Sequence, residues 1–191
     1  NKISYHQFKR IVISLLYGLD CMHKNGFLHF NINLNNILYY FDKSADINVY
    51  ISDFGKSVRC TSAYNGIYID KGKEKDQYYN DKDDVYCLGV VFIQLLGSKI
   101  TIENCKDVKE EINEKYIEEL IRAYNKNKTS KKEEILLKEL LVHMLKLDSD
   151  ERIGSDEFDR LKFYQNNELE NYCTLNRPSE LVVINYISPG V

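Results

Sequence analysis

The sequence predicts an α+β fold that is mainly α, a helical bundle carrying one small β-hairpin. Three patterns predict it. The apolar residues Phe8, Val12, Leu15, Leu16, Leu19 and Met22 recur at spacings of three and four, which marks one buried face of a helix. Asp84 to Leu96 is apolar nearly all round, so that helix must lie at the centre of a core. Between them stand two short apolar runs, Ile37 to Phe41 and Val49 to Ser52, separated by the turn-rich Asp42 to Asn48, and this reads as a hairpin. A chain of 191 residues can bury one sizeable core, so a single compact unit is expected.

Taken in order, the first helix runs from Tyr5 to Lys24, and Asn25 with Gly26 ends it as a left-handed cap would. A polar loop spans 29 to 36 and leads into the hairpin. Asp53 to Asp83 is rich in Gly, Lys, Asp and Tyr with little periodicity and reads as a long surface segment. The central helix, Asp84 to Leu96, is closed by Gly97. Two further helices follow, Val108 to Tyr124 with mixed charges and Lys131 to Lys146 with Ile135, Leu136, Leu140, Leu141, Met144 and Leu145 on its apolar positions. The lysine-rich link at 125 to 132 is a solvated loop. Ser155 to Tyr164 forms a short last helix with Ser155 as its cap. The tail, 166–191, holds both prolines and an apolar run, and it is expected to pack on the preceding unit or extend from it.

Composition excludes several classes of function. The 26 basic and 29 acidic residues leave a net charge of −3, which gives no pull toward nucleic acid or anionic lipid. The longest apolar stretches, such as Leu88 to Leu96 and Leu181 to Ile184, fall well short of the roughly 18 residues of a bilayer span. Cys21, Cys60, Cys87, Cys105 and Cys173 are odd in number, scattered and without CxxC pairing, as expected of reduced thiols in an intracellular, cytoplasmic protein. His6, His23 and His143 have no carboxylate or cysteine at metal-ligand spacing. The chain opens on Asn1 without a basic-then-apolar leader, so it reads as an internal fragment.

The chemistry concentrates in two short stretches. His29, Phe30, Asn31, Ile32, Asn33, Leu34, Asn35, Asn36, Ile37 and Leu38 are followed, at the end of a predicted strand, by Asp53, Phe54 and Gly55, with Asp53 standing 17 residues after Asn36. This order resembles the catalytic loop and the DFG metal-binding turn of eukaryotic protein kinases. Asp84, Val85, Tyr86 and Gly89 resemble that family's DxWxxG helix start, and Arg152 its late arginine. The resemblance covers nearly the whole chain but only the larger, C-terminal lobe of the kinase fold, with residues 1–165 as the lobe. No GxGxxG loop precedes the first helix, and without a small lobe these residues are expected to bind ATP weakly. Small-molecule kinases share a distant version of the fold but generally lack DFG.

The resemblance implies ATP and Mg²⁺ as cofactors, with Asp53 and Asn36 as metal and cofactor ligands; both supply oxygen donors suited to a hard cation. The lesser reading of Asp53 is a turn residue after a strand. His29, Phe54 and Gly55 take structural places in the family, His29 packing beneath the DFG turn. The family aspartate corresponding to Asp84 binds catalytic-loop backbone from below, and a helix cap is a second reading that can hold together with it. Arg152 would pair with Glu74, or both would be surface charges. Ser57, Thr61, Ser62, Tyr64 and Tyr68 stand where a regulated kinase is phosphorylated.

Where the family reads HRDLKxxN this chain reads HFNINLNN. Asn31 occupies the place of the lost base, and an amide barely takes up a proton. Asn33 replaces the lysine that steadies the transferred phosphoryl, and Phe30 the arginine that grips a phosphorylated activation segment. Two readings follow: a pseudokinase whose large lobe docks or regulates a protein partner, and a weakly active serine/threonine kinase with its N-lobe outside this chain. Tyrosine specificity stays open, because the discriminating positions after Asn31 are altered.

Overall fold

A computed structural model of the chain describes residues 3–60, 62–64, 67–70, 77–103, 112–125, 130–165 and 182–183. Helix α1 spans Tyr5–Lys24. Ser4 starts it with a reciprocal cap, its hydroxyl accepting from the Gln7 N–H while the Gln7 side chain accepts from the Ser4 N–H, so two of the orphan donors of the first turn are satisfied. Asn25 closes the helix and Gly26 follows at φ 76°. A Cβ on Gly26 would stand 3.0 Å from the Cys60 carbonyl oxygen, so both the left-handed backbone and the close approach require glycine. The same two residues are joined by a hydrogen bond from the Cys60 N–H to the Gly26 carbonyl, which continues the pairing of β1 (Phe27–Leu28) with β4 (Val58–Arg59).

The loop after β1 ends in a 3₁₀ turn, Leu34–Asn36. Strands β2 (Ile37–Phe41) and β3 (Ile47–Ile51) pair antiparallel with Tyr39 opposite Val49. β3 starts two residues before the sequence expectation because Asp42 organises a tighter turn. Its Oδ1 accepts from the Ser44 and Asp46 N–H groups, and these backbone donors, the Asp46 N–H first, hold its pKa below the ordinary carboxylate value. The free edge of β2 receives the backbone of β8 (Val182–Val183).

The segment from Asp53 to Asp83, expected as a long surface stretch with little periodicity, contains strands among its described residues. A 3₁₀ turn at Phe54–Lys56 precedes β4, and β5 (Ser62–Tyr64), β6 (Ile67–Asp70) and β7 (Gln77–Asn80) form a three-stranded antiparallel sheet. The two residues between β5 and β6 are Asn65 and Gly66, the dipeptide that most favours a two-residue hairpin, set among charged and glycine-rich neighbours that mask it.

Helix α2 (Lys82–Leu95) begins two residues ahead of the expected start and buries Val85, Leu88, Val90, Val91, Phe92, Ile93 and Leu95, as a helix apolar all round must. Gly89 permits its close approach to α4, since a Cβ there would meet Leu145 at 3.0 Å and Met144 at 3.2 Å. Helix α3 (Glu114–Asn125) lies on α4 (Lys131–Met144). The expected final helix divides into a 3₁₀ segment, Ser155–Arg160, and α5 (Lys162–Gln165). Gly154 rather than Ser155 takes the cap position, because the Ser155 hydroxyl is committed elsewhere. One continuous core joins α1, the hairpin, α2, α3 and α4, and no helix among the described residues is long and apolar enough to cross a membrane.

Phe92 is fully buried in this core while Ile135 on α4 is 53% exposed. Phe92→Ala is therefore expected to cost about 3 to 5 kcal/mol in urea unfolding, whereas Ile135→Ala should change stability by less than about 0.5 kcal/mol.

Candidate functional site

The polar loop is held from beneath by one buried carboxylate. Asp84, in the first turn of α2 and 1% exposed, accepts the His29 N–H on Oδ2 at 2.6 Å and the Phe30 N–H on Oδ1 at 2.8 Å. Its Oδ2 also accepts from His23 Nε2 at 3.1 Å. A buried carboxylate is tolerated when donors surround it, and here they come from α1 and from the loop. Phe30 sits at φ 57°, a left-handed backbone unusual for a bulky residue, and its hydrogen bond to Asp84 helps hold that turn.

His23 extends the network. Its Nδ1 lies 2.7 Å from the Ser155 hydroxyl, which donates to Asp81 Oδ2 at 3.2 Å. Burial pushes the Asp81 carboxyl above its ordinary pKa. Sequence reasoning missed His23, Asp81 and Ser155 as partners of the loop. His23 was within reach, since it continues the Val12, Leu16, Leu19 stripe by one further turn and so had to be buried.

His29 is fully buried. Its Nε2–H donates to the Ser52 carbonyl at 3.0 Å, and its Nδ1 accepts the Asn31 N–H at 3.2 Å, a pairing that requires the neutral tautomer. The ring lies 5.2 Å from that of Phe54, while Phe54 itself is 53% exposed. Burial holds the His29 pKa below 6.5, with the charge of Asp84 working against that shift.

Above this base the asparagines gather on residue 31. Asn33 Nδ2 and Asn36 Nδ2 both donate to the Asn31 carbonyl, at 2.9 and 2.7 Å. The Asn31 side chain reaches the turn that follows β3, its Nδ2 donating to Asp53 Oδ2 at 2.7 Å, and its Oδ1 lies 3.4 Å from Lys56 Nζ. A carboxylate on one side and an ammonium on the other fix which end of the amide is which. Asp53 has φ 64° and its Oδ1 accepts the Gly55 N–H at 3.4 Å. The structure thus brings Asn31, Asn33, Asn36, Asp53, Phe54 and Gly55 together, with His29 and Asp84 buried beneath them. Lys56 was not anticipated; its place three residues after Asp53 in a tight turn was the available signal.

The donor set can be tested against a divalent cation. Asp53 offers carboxylate oxygens and Asn36 keeps an amide oxygen to which no hydrogen bond is donated among the described residues, its nitrogen being used on the loop. One carboxylate with one amide oxygen fits magnesium, which takes few protein ligands and completes its shell with water and phosphate. Among the described residues no three His, Cys, Asp or Glu side chains cluster as another metal site would need.

Arg152 stands apart from this face. It is 6% exposed and donates to the Lys146, Leu147 and Lys82 carbonyls, at 2.9, 3.2 and 2.9 Å, and to Asp83 Oδ1 at 3.3 Å. Its guanidinium also lies 4.7 Å from the Tyr86 ring centroid. It ties the end of α4 to the start of α2. Glu74 lies outside the described residues, as does Thr61. Ser57 places its hydroxyl 3.5 Å from the His29 carbonyl, while Ser62 and Tyr64 lie on β5 and Tyr68 on β6.

Residues 1–164 match the model of the protein kinase domain. The chain is 28% identical to serine/threonine-protein kinase 1 of Heliothis zea nuclear polyhedrosis virus over 116 residues, 59% of this chain and 42% of that protein. It is 27% identical to the LRR receptor-like serine/threonine-protein kinase ERL2 of Arabidopsis thaliana, over 54% of this chain and 12% of the relative. A LEAF RUST 10 disease-resistance locus receptor-like protein kinase-like 1.1 from the same plant is 29% identical over 50% of this chain and 16% of its own length. The matched stretch thus spans less than half the length of each relative.

Two outcomes are expected from this geometry. Asp84→Asn turns one acceptor into a donor facing a backbone N–H, and should cost about 3 kcal/mol of unfolding free energy. Unfolded His29 takes up a proton below its ordinary pKa of 6.5 while the folded group resists, so its contribution to stability is complete above that value and is lost as pH falls toward the lower folded value. Denaturation of His29→Gln from about pH 7 to about pH 5 should therefore give a shallower loss of stability than the parent chain shows.

Proposed function

Because the chain belongs to the protein kinase family, we propose that residues 1–165 form the larger lobe of a kinase-like domain that has given up phosphotransfer and serves as a pseudokinase, docking or regulating a protein partner. The observation that carries this reading is the Asn31 side chain. At the position where the family places its proton acceptor, this chain presents an N–H to Asp53 at 2.7 Å. General-base catalysis contributes about 10²- to 10⁴-fold, roughly 3 to 5 kcal/mol of barrier. Asn33 adds to the deficit, since a neutral amide occupies the position of the phosphoryl-steadying lysine.

The family implies ATP and Mg²⁺, and Asp53 with Asn36 would hold the metal that neutralises phosphate charge. That retained pair favours a second reading, a weakly active serine/threonine kinase, because phosphoryl transfer depends mostly on positioning and charge neutralisation. In either reading the macromolecule that the lobe meets is a protein, as a docking partner or as a substrate. The DFG-type turn and the lobe-only extent are parts of the same proposal.

The two readings separate in a phosphotransfer assay on the full-length protein. The unmodified protein should show no turnover approaching the roughly 1 to 100 s⁻¹ of ordinary kinases, and Asn31→Asp with Asn33→Lys should raise the rate by about 10²-fold or more. Ordinary turnover by the unmodified protein would end the pseudokinase reading.

A further inference from the structure

The loop position that should bring a cation to the cleft brings none. Asn33 is uncharged, and both ends of its amide serve the loop itself, Nδ2 donating to the Asn31 carbonyl and Oδ1 accepting the Asn35 N–H, each at 2.9 Å. A phosphate approaching Asp53 and Asn36 would find no charge compensation from that side chain. Polyphosphates carry several negative charges, so a site that holds them needs a cation beside the metal.

Lys56 supplies one from a different strand connection. The left-handed backbone of Asp53 and the 3₁₀ turn Phe54–Lys56, closed by the Ser57 N–H on the Phe54 carbonyl at 3.0 Å, fold the chain back toward the loop. This carries Lys56 Nζ to 3.4 Å from Asn31 Oδ1, on the side chain whose other end contacts Asp53. The contact is long and its acceptor neutral, and Lys56 is otherwise exposed, so the ammonium can leave it at little cost. A charged phosphate oxygen would form a shorter and stronger hydrogen bond, and the flexible four-carbon stem lets the ammonium swing to meet it.

We propose that Lys56 is the phosphate-binding cation of this cleft, its ammonium contacting an oxygen of a magnesium-bound polyphosphate held at Asp53 and Asn36. The amide of Asn31 then acts as a rest position for Lys56 when the ligand is absent. The proposal rests on the assignment of this face as the family's phosphate-facing loop pair, and it is independent of whether transfer follows.

The test is a titration of the chain with magnesium pyrophosphate, followed by the ¹H–¹⁵N resonances of Gly55, Lys56 and the Asn31 side chain. Saturable shifts are expected, with affinity reduced by about five-fold or more in Lys56→Met and largely retained in Lys56→Arg. Lys99→Met removes the same charge from another exposed position and should leave affinity nearly unchanged. Equal affinity of Lys56→Met and the parent, an equal loss in Lys99→Met, or no saturable shift in the parent would each overturn the proposal. Turnover of ATP by the unmodified full-length protein would end the pseudokinase reading and leave this assignment standing, so the two fail separately.

Discussion

The carboxylate of Asp84 organises the functional face, because three donors converge on its two oxygens from separate parts of the chain. His23 comes from α1, and the His29 and Phe30 N–H groups come from the loop. Hydrogen bonds to a charged acceptor are worth about 1.5 to 3 kcal/mol each, and leaving that charge unpaired in the core would cost more. The loop is therefore fixed relative to α2, the best-buried helix of the core. Everything the loop presents outward, from Asn31 to Asn36, inherits its position from that anchor.

On this platform, the choice between carboxylate and amide at residue 31 decides the electrostatics. An amide can face Asp53 with a hydrogen and Lys56 with an oxygen, which a carboxylate could not do for both. A second carboxylate in the same place would stand about 3 Å from Asp53, where two like charges cannot both stay ionised without a cation between them. In the proposed reading, Asp53 and Asn36 keep oxygen donors for a metal, while the amide at residue 31 offers no group that would accept a proton.

Much of this was legible in the residues because local signals and tertiary demands agree. The bounds of α1 follow from its apolar stripe and its Asn25–Gly26 ending, and the β2–β3 hairpin from two apolar runs around a turn-forming stretch. The motifs resembling the catalytic loop and the DFG turn singled out Asn31, Asn36 and Asp53, which lie together, and the DxWxxG-like start singled out Asp84, which holds the loop backbone from beneath. The misses have physical causes. The β5–β6 pairing hid behind charged and glycine-rich neighbours although Asn65–Gly66 announced a turn. Ser155 resembled a helix cap, but its hydroxyl serves His23 and Asp81 across 132 and 74 residues of sequence, and no local pattern records a partner at that distance. Lys56 was passed over because its one signal, a position three residues after Asp53, gains meaning only once the 3₁₀ turn Phe54–Lys56 folds it back toward Asn31.

The amide at residue 31 is open to direct observation by the side-chain ¹H–¹⁵N resonances of Asn31. A hydrogen bond to Asp53 should move one of its two protons downfield and slow its exchange with solvent, and Asp53→Ala should abolish both effects. Resonances like those of a free amide, unmoved by Asp53→Ala, would mean that Asn31 does not face the Asp53 carboxylate, and the account of an amide held between Asp53 and Lys56 would be wrong.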